Sequence, residues 1–156
     1  MKVGIFKSIV VSGVIGFAAM SSSIAHSEST GIPEADSRIA QMKELGKNMK
    51  AIAAVAKGEA AYSPALNQNA MAVKKIGEMM HTFFPDGSGG EKTRAKPEIW
   101  QKTAEFNTAI DNFKMASAML VPAVSTGQQP KIGQALQAVG KTCGGCHKPF
   151  RKPKDE

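Results

Sequence analysis

Residues 130–150 read PKIGQALQAVGKTCGGCHKPF. In this stretch Ile132, Leu136, Val139, Cys143, Cys146 and Phe150 recur at alternating steps of four and three. That spacing lays side chains along one face of a helix, and nothing in the stretch alternates with the period of two that a strand requires. Pro130 suits the first helical turn, where an amide hydrogen has no partner to lose. The most regular apolar stripe of the chain thus carries both of its cysteines on the core-facing side.

Three further stripes precede it. From about Glu34 to Lys57, Ile39, Met42, Leu45, Met49, Ile52 and Val55 share one face, with Asp36 or Ser37 expected as N-cap and Gly58 as C-cap. Ser63-Pro64 opens a second helix marked by Leu66, Ala70, Val73, Ile76, Met80 and Phe83, which Pro85-Asp86-Gly87-Ser88-Gly89-Gly90 breaks. A third is expected from near Pro97, through Ile99, Phe106, Ile110, Phe113 and Leu120, with Pro122 and the stretch Ser125-Thr126-Gly127 ending or bending it. Pro149 likewise predicts a kink or an end of the last helix near Lys148. Four amphipathic helices with short links predict an all-α fold, an antiparallel four-helix bundle with residues 85–96 as its one long connection.

Composition agrees. The 156 residues suffice for one domain, 42% are hydrophobic, and only 6% are aromatic while Met numbers 9. Twenty basic against 13 acidic residues give +7, and setting Lys2 and Lys7 aside leaves +5 from residue 26 onward. No arginine-rich stripe stands out, so no nucleic-acid partner is expected.

Lys2 and Lys7 lead into the uncharged apolar run SIVVSGVIGFAAM at residues 8–20, followed by SSSIAHS. This is the three-part design of a secretory signal peptide over residues 1–25, with cleavage after Ala25 or after Ser27. The run is shorter than the roughly 20 residues of a spanning helix. No stable membrane insertion is therefore expected once the leader is removed. Residues 26–156 form the mature domain, and its expected location is a bacterial periplasm.

The chemistry lies in Cys143-Gly144-Gly145-Cys146-His147. Two thiols one helical turn apart can add to the two vinyl groups of a haem, and the adjacent imidazole then reaches the iron; this is the pattern of c-type haem attachment. A zinc site wants four ligands, and beyond the motif only His26 and His81 remain among His and Cys. A thioredoxin-like pair wants a strand–helix unit that the chain does not display. The expected cofactor is one covalently attached haem c, held by Cys143 and Cys146 with His147 as an iron ligand.

These residues resemble the cytochrome c′ family over Ser37 to Lys152. Arg38-x-x-x-Met42 followed by Asn48-Met49-Lys50-Ala51-Ile52 is similar to its first helix, Thr93-Arg94-Ala95-Lys96-Pro97-Glu98-Ile99-Trp100 to the entry of its third, and Cys146-His147 with Phe150-Arg151 to its final turn. The resemblance implies that Met42 stands over the distal face of the haem. The gas-binding branch keeps a non-ligating residue there, whereas the low-spin cytochrome c-556 branch, which this sequence looks like, keeps a ligating methionine. It further implies Arg38 near a haem propionate, Trp100 against the porphyrin, and homodimers formed through the first two helices. Helix-face methionines otherwise read as core packing, and Met49, Met71, Met79, Met80, Met115 and Met119 are read so here. His81 competes with Met42 as a ligand but is expected at the surface. Lys148, Arg151, Lys152 and Lys154 read either as a solvated tail or as a docking rim for an acidic redox partner.

With Met42 and His147 both axial, the chain is expected to carry single electrons between redox donor and acceptor proteins not identified by sequence, and not to act as an enzyme. The alternative is a five-coordinate haem that binds nitric oxide or carbon monoxide. A peroxidase-like reading lacks a distal acid–base pair.

Overall fold

The computed structural model describes residues 29–154; the signal-peptide expectation and its cleavage site lie outside the described residues. Helix α1 spans Pro33–Ala56, α2 Leu66–Met79, α3 Glu98–Gln101, α4 Thr103–Ser125 and α5 Gln129–Phe150. A 3-10 turn over Met80–Phe83 extends α2. Among the described residues there is no strand, only an isolated antiparallel bridge between Ala95 and Arg151.

Each boundary has a local cause. Pro33 opens α1 with its backbone already preset, and Glu34 and Asp36 place negative charge in the first turn, where the helix dipole favours it. The expected cap at Asp36 or Ser37 is corrected: the N-cap is Ile32, and Asp36 sits inside the helix. The Asp36 carboxylate instead reaches back. It accepts from the Thr30 amide at 2.8 Å, the Thr30 hydroxyl at 2.8 Å and the Ser29 hydroxyl, which fastens the lead-in segment and holds its pKa below the usual value. The far end closes as a Schellman motif. Gly58 takes φ +75°, the Glu59 amide donates to Ala54 O and the Gly58 amide to Val55 O.

One break is unexpected. The third helix is interrupted at Lys102 (φ −117°, ψ 52°), so Pro97 leads only into the short α3. Pro122 lies inside α4, which closes at Ser125-Thr126-Gly127 as expected, and α5 ends at Phe150, close to the end expected near Lys148. Both prolines lie in or near a last turn and are exposed, so the ring meets few neighbours. Beyond Pro149 the chain is fastened from outside the helix. The Arg151 amide donates to His147 O, the Lys96 amide to Phe150 O and the Lys152 amide to Arg94 O.

Helices α1, α2, α4 and α5 pack in a closed ring, each against the next and α5 against α1. Ile52, Ile110, Leu120, Ile132 and Val139 are fully buried at the centre, each burial contributing about 1.5–3 kcal/mol. Polar contacts fix the pairings. Asn69 Nδ2 donates to Asn48 Oδ1 across α1 and α2 at 2.9 Å, and Gln129 Nε2 donates to Val55 O across α5 and α1 at 3.1 Å. The methionine expectation holds for Met80, which is buried, and for Met49, which packs half-buried on the core. It fails for Met71, Met79, Met115 and Met119, which are exposed because they fall off the core-facing phase of α2 and α4.

Helices α2 and α4 leave no room for a side chain at Gly77, where a Cβ would stand 2.5 Å from Ser117 Oγ and 3.2 Å from Phe113 Cε1. Gly77→Ala therefore overpacks the interface, a cost of about 1–3 kcal/mol, against about 1 kcal/mol gained in helix propensity. Urea unfolding should show Gly77→Ala destabilising in the natural background and at least 1 kcal/mol less so when combined with Ser117→Ala. Equal effects in both backgrounds would show that the hydroxyl does not set this spacing.

Candidate functional site

Helix α5 carries Cys143, Cys146 and His147 in its last two turns. One helical turn apart, the two cysteines share a face, and both pack half-buried against the core. Neither forms a disulfide. Burial pushes both thiols above their ordinary pKa; for Cys146, with Cys143 adding to the desolvation, the value rises to about 11. No group of three or more His, Cys, Asp or Glu that could hold a metal ion occurs among the described residues.

His147 points from the exposed side of the same turn. Partial desolvation of its ring, then the charges of Arg151 and Arg94, lower its pKa, so the neutral imidazole that can coordinate a metal is the favoured form. Arg94 is held by donating Nε and Nη2 to Lys152 O at 2.9 and 2.6 Å.

Across the bundle, Met42 and Met49 are half-buried against the core on α1, the helix that packs on α5. Arg38, one turn before Met42, is neither at the surface nor solvated. It is 6% exposed, donating through Nη1 to Phe83 O (3.1 Å) and Ser88 Oγ (3.0 Å) and through Nη2 to Ser88 O (3.0 Å). Its guanidinium lies 4.8 Å from the Phe84 ring centroid. Desolvation lowers its pKa, and among the described residues no carboxylate pairs with it. A buried cation satisfied only by neutral acceptors and a ring face keeps net positive charge at this end of the bundle.

Trp100 lies over the loop. Its indole Nε1 donates to Phe84 O and Pro85 O at 3.3 and 3.2 Å, and its ring covers Gly89 so closely that a Cβ there would stand 2.7 Å away. Phe106 is buried between Phe84 and Phe150 in edge-to-face contacts of 4.8 and 5.0 Å. His81 is exposed and bonded to Asp111 at 3.1 Å, on the outer side of α4. Sequence reasoning missed Ser88, the acceptor that fixes Arg38. It lies 50 residues away in a glycine-rich loop, and no local pattern marks it.

The site residues fit a flat apolar group attached through sulfur. Two half-buried thiols in an apolar wall, with an adjacent neutral imidazole, suit thioethers to a porphyrin better than a charged zinc–thiolate centre. In the haem-free chain Cys146 should stay a neutral thiol at pH 8. Its alkylation by iodoacetamide should then keep rising about tenfold per pH unit toward pH 11, where an ordinary thiol levels off near 9. A plateau near 9 would place the thiol in water.

Comparison with known proteins agrees with this chemistry. The family model described as cytochrome C′ matches residues 34–151. The chain is 36% identical to a cytochrome c′ of Pararhodospirillum photometricum over 112 residues, covering 71% of this chain and 90% of that protein. It is 34% identical to a cytochrome c-556 of Rhodopseudomonas palustris over 118 residues, covering 70% and 76%. The crystal structure of cytochrome c′ from Rubrivivax gelatinosus superposes with a TM-score of 0.68 at 30% identity, covering 74% of this chain and 91% of that one. A nitric oxide complex of a cytochrome c′ variant from Alcaligenes xylosoxidans gives 0.71 at 26%, covering 77% and 94%. The chain belongs to the cytochrome c′ family and carries that family's covalently attached haem c with its iron.

Proposed function

We propose that the protein is a periplasmic one-electron carrier whose haem iron is held between His147 and Met42. The observation that carries this reading is Met42 itself, a thioether on the core-facing side of α1 where that helix packs on the haem-bearing α5. Relatives named cytochrome c-556 stand beside those named cytochrome c′ among the similar proteins. When bound, the haem supplies a one-electron couple at iron.

The chain's own residues do the rest. Cys143 and Cys146 fix the haem to α5, and His147 offers a neutral nitrogen favoured by desolvation and by two neighbouring arginines. Met42 offers a soft neutral sulfur, and methionine with histidine favours the ferrous state. Residues on α1 and α5 that would hold the iron would leave no exchangeable ligand, so little reorganisation would oppose electron gain or loss. Arg38 has Nε and one Nη2 hydrogen outside its three bonds to Phe83 and Ser88, and among the described residues its buried charge has no carboxylate partner; a haem propionate is the anion this reading assigns to it. Trp100 holds the 84–90 loop that walls the same end.

A second reading rests on the solved relatives from Alcaligenes xylosoxidans, which include complexes with nitric oxide and with carbon monoxide. On that reading Met42 is packing and the distal side is open to gas. Among the described residues no helix is long and apolar enough to cross a membrane, and the family's α1–α2 homodimer is kept as part of the proposal.

Absorption spectra decide between the two. The natural protein should be low-spin in both oxidation states and form no carbonyl adduct within seconds of mixing with carbon monoxide. Met42→Ala should turn it high-spin and carbon monoxide-reactive. A high-spin natural protein that binds carbon monoxide at once would establish the gas-binding reading. A low-spin spectrum unchanged in Met42→Ala would move the ligand elsewhere.

A further inference from the structure

The last turn of α5 is not held by the helix alone. Pro149 has no amide hydrogen, so the carbonyl of Gly145, between the two cysteines, loses its helical donor. Two residues past Pro149 the backbone is extended, with Arg151 at φ −126° and ψ 132°. Pro153 enforces the change, because a residue before proline is driven out of helical geometry, and Lys152 stands there. Pro97 acts in the same way on Lys96. Two short extended pieces, each followed by a proline, thus meet in the isolated bridge between Ala95 and Arg151. The carbonyl of His147 accepts from the Arg151 amide at 3.1 Å, so the bridge partner of Ala95 is bonded directly to the backbone of His147.

Arg94 closes this contact. Its carbonyl accepts from the Lys152 amide at 2.8 Å, while its Nε and Nη2 donate to Lys152 O at 2.9 and 2.6 Å. One residue therefore grips Lys152 by both its amide and its carbonyl, with a planar fork set on a single oxygen. Arg94 is itself anchored on both sides. Thr93 before it is buried, with its amide and its hydroxyl each donating to Gly90 O at 3.0 Å, and the buried Ile99 anchors the chain beyond it. The grip is kept against repulsion. The pKa of Arg151 is lowered by desolvation and then by the charge of Arg94, and among the described residues neither arginine has an ion-pair partner. Fastening a chain end requires only a donor; a neutral one would do so without setting two cations side by side.

We propose that Arg94 is a positioning residue for the iron ligand His147: by gripping Lys152 it holds the Arg151 amide on the His147 carbonyl and so fixes the turn from which the imidazole projects. The proposal rests on His147 as the iron ligand, which the electron-carrier and the gas-binding readings share, and not on Met42. A ligating imidazole is commonly oriented by a hydrogen bond to its second nitrogen. Among the described residues nothing bonds the His147 ring in that way, which leaves its orientation to the backbone that carries it. That backbone lies just before the bond removed by Pro149, and the grip from Arg94 takes the place of the missing one.

The test is electron paramagnetic resonance of the oxidised holoprotein, with hydrogen exchange of the Arg151 amide measured on the same samples. The g-values report the orientation of an axial imidazole in either spin state. Arg94→Ala should speed exchange of the Arg151 amide about tenfold and shift the g-values or add a second set. Arg94→Lys keeps the charge and one donor but loses the fork; its exchange should rise only about threefold, with g-values between those of the natural protein and Arg94→Ala. This milder variant carries the test alone if Arg94→Ala does not fold. Lys96→Ala removes a cation from the same segment and leaves the grip intact, so it should change exchange by less than about twofold and leave the g-values alone. The positioning role is overturned if the g-values of Arg94→Ala match those of the natural protein, even where exchange quickens, since that is what a merely structural contact would give. It is equally overturned if Lys96→Ala acts as strongly as Arg94→Ala, which would make charge and not the grip the cause. Failure of the ligand assignment looks different: a natural protein whose iron shows no axial nitrogen removes His147 itself, before any variant is compared.

Discussion

Everything in this bundle depends on the packing of α1 against α5. Helix α5 presents Cys143 and Cys146 inward and His147 beside them, and only a helix lying along that face can supply anything to the other side of a haem attached there. Gln129 Nε2 bonding to Val55 O pins one end of the pair. The other end is set less directly, through Arg38 and the loop. Because α1 also pairs with α2 through Asn48 and Asn69, its rotation about its own axis is fixed by polar contacts rather than by apolar fit alone. Apolar contact tolerates small rotations; a buried amide that must meet one acceptor does not. The half-buried Met42 therefore occupies a defined position relative to the α5 face.

The second constraint is electrostatic. Burying a guanidinium with no carboxylate is costly, and the chain offsets that cost with two carbonyls, one hydroxyl and a ring face. The same bonds order residues 83–88, which Trp100 clamps from its other side. A positive charge kept in this way favours the reduced, more negative state of a nearby redox centre less than a free ion would in the same place, since its field is partly shared with the loop carbonyls. The loop that sequence reading treats only as a break is thus the scaffold of the buried cation.

The helices were legible because their apolar residues repeat at a period that local geometry enforces, and the Cys–Cys–His pattern was legible because its chemistry is confined to five consecutive residues. What was not legible is long-range or depends on phase. The pairing of Arg38 with Ser88 spans 50 residues and leaves no periodic trace. Asp36 looks like a cap by residue type, but Pro33 begins the helix earlier and frees the carboxylate to hold Thr30. Pro122 and Pro149 mark helix ends to within three residues and not to the residue, because in a last turn each removes only one bond from a turn that other contacts retain. Met115 and Met119 count as apolar in any composition, and only their angular phase against Ile110, Phe113 and Leu120 separates them from the core.

That phase difference ties the interior to the surface. On the proposed coordination, an iron held from both α1 and α5 needs no path for small molecules. Helix α5 divides its circumference. The Val139–Cys143–Cys146–Phe150 face meets the core, and the Lys141–Gly145–Lys148 side meets solvent, with one turn of backbone between them. A side chain added at Gly145 would meet open space and not the core, because the position opens outward.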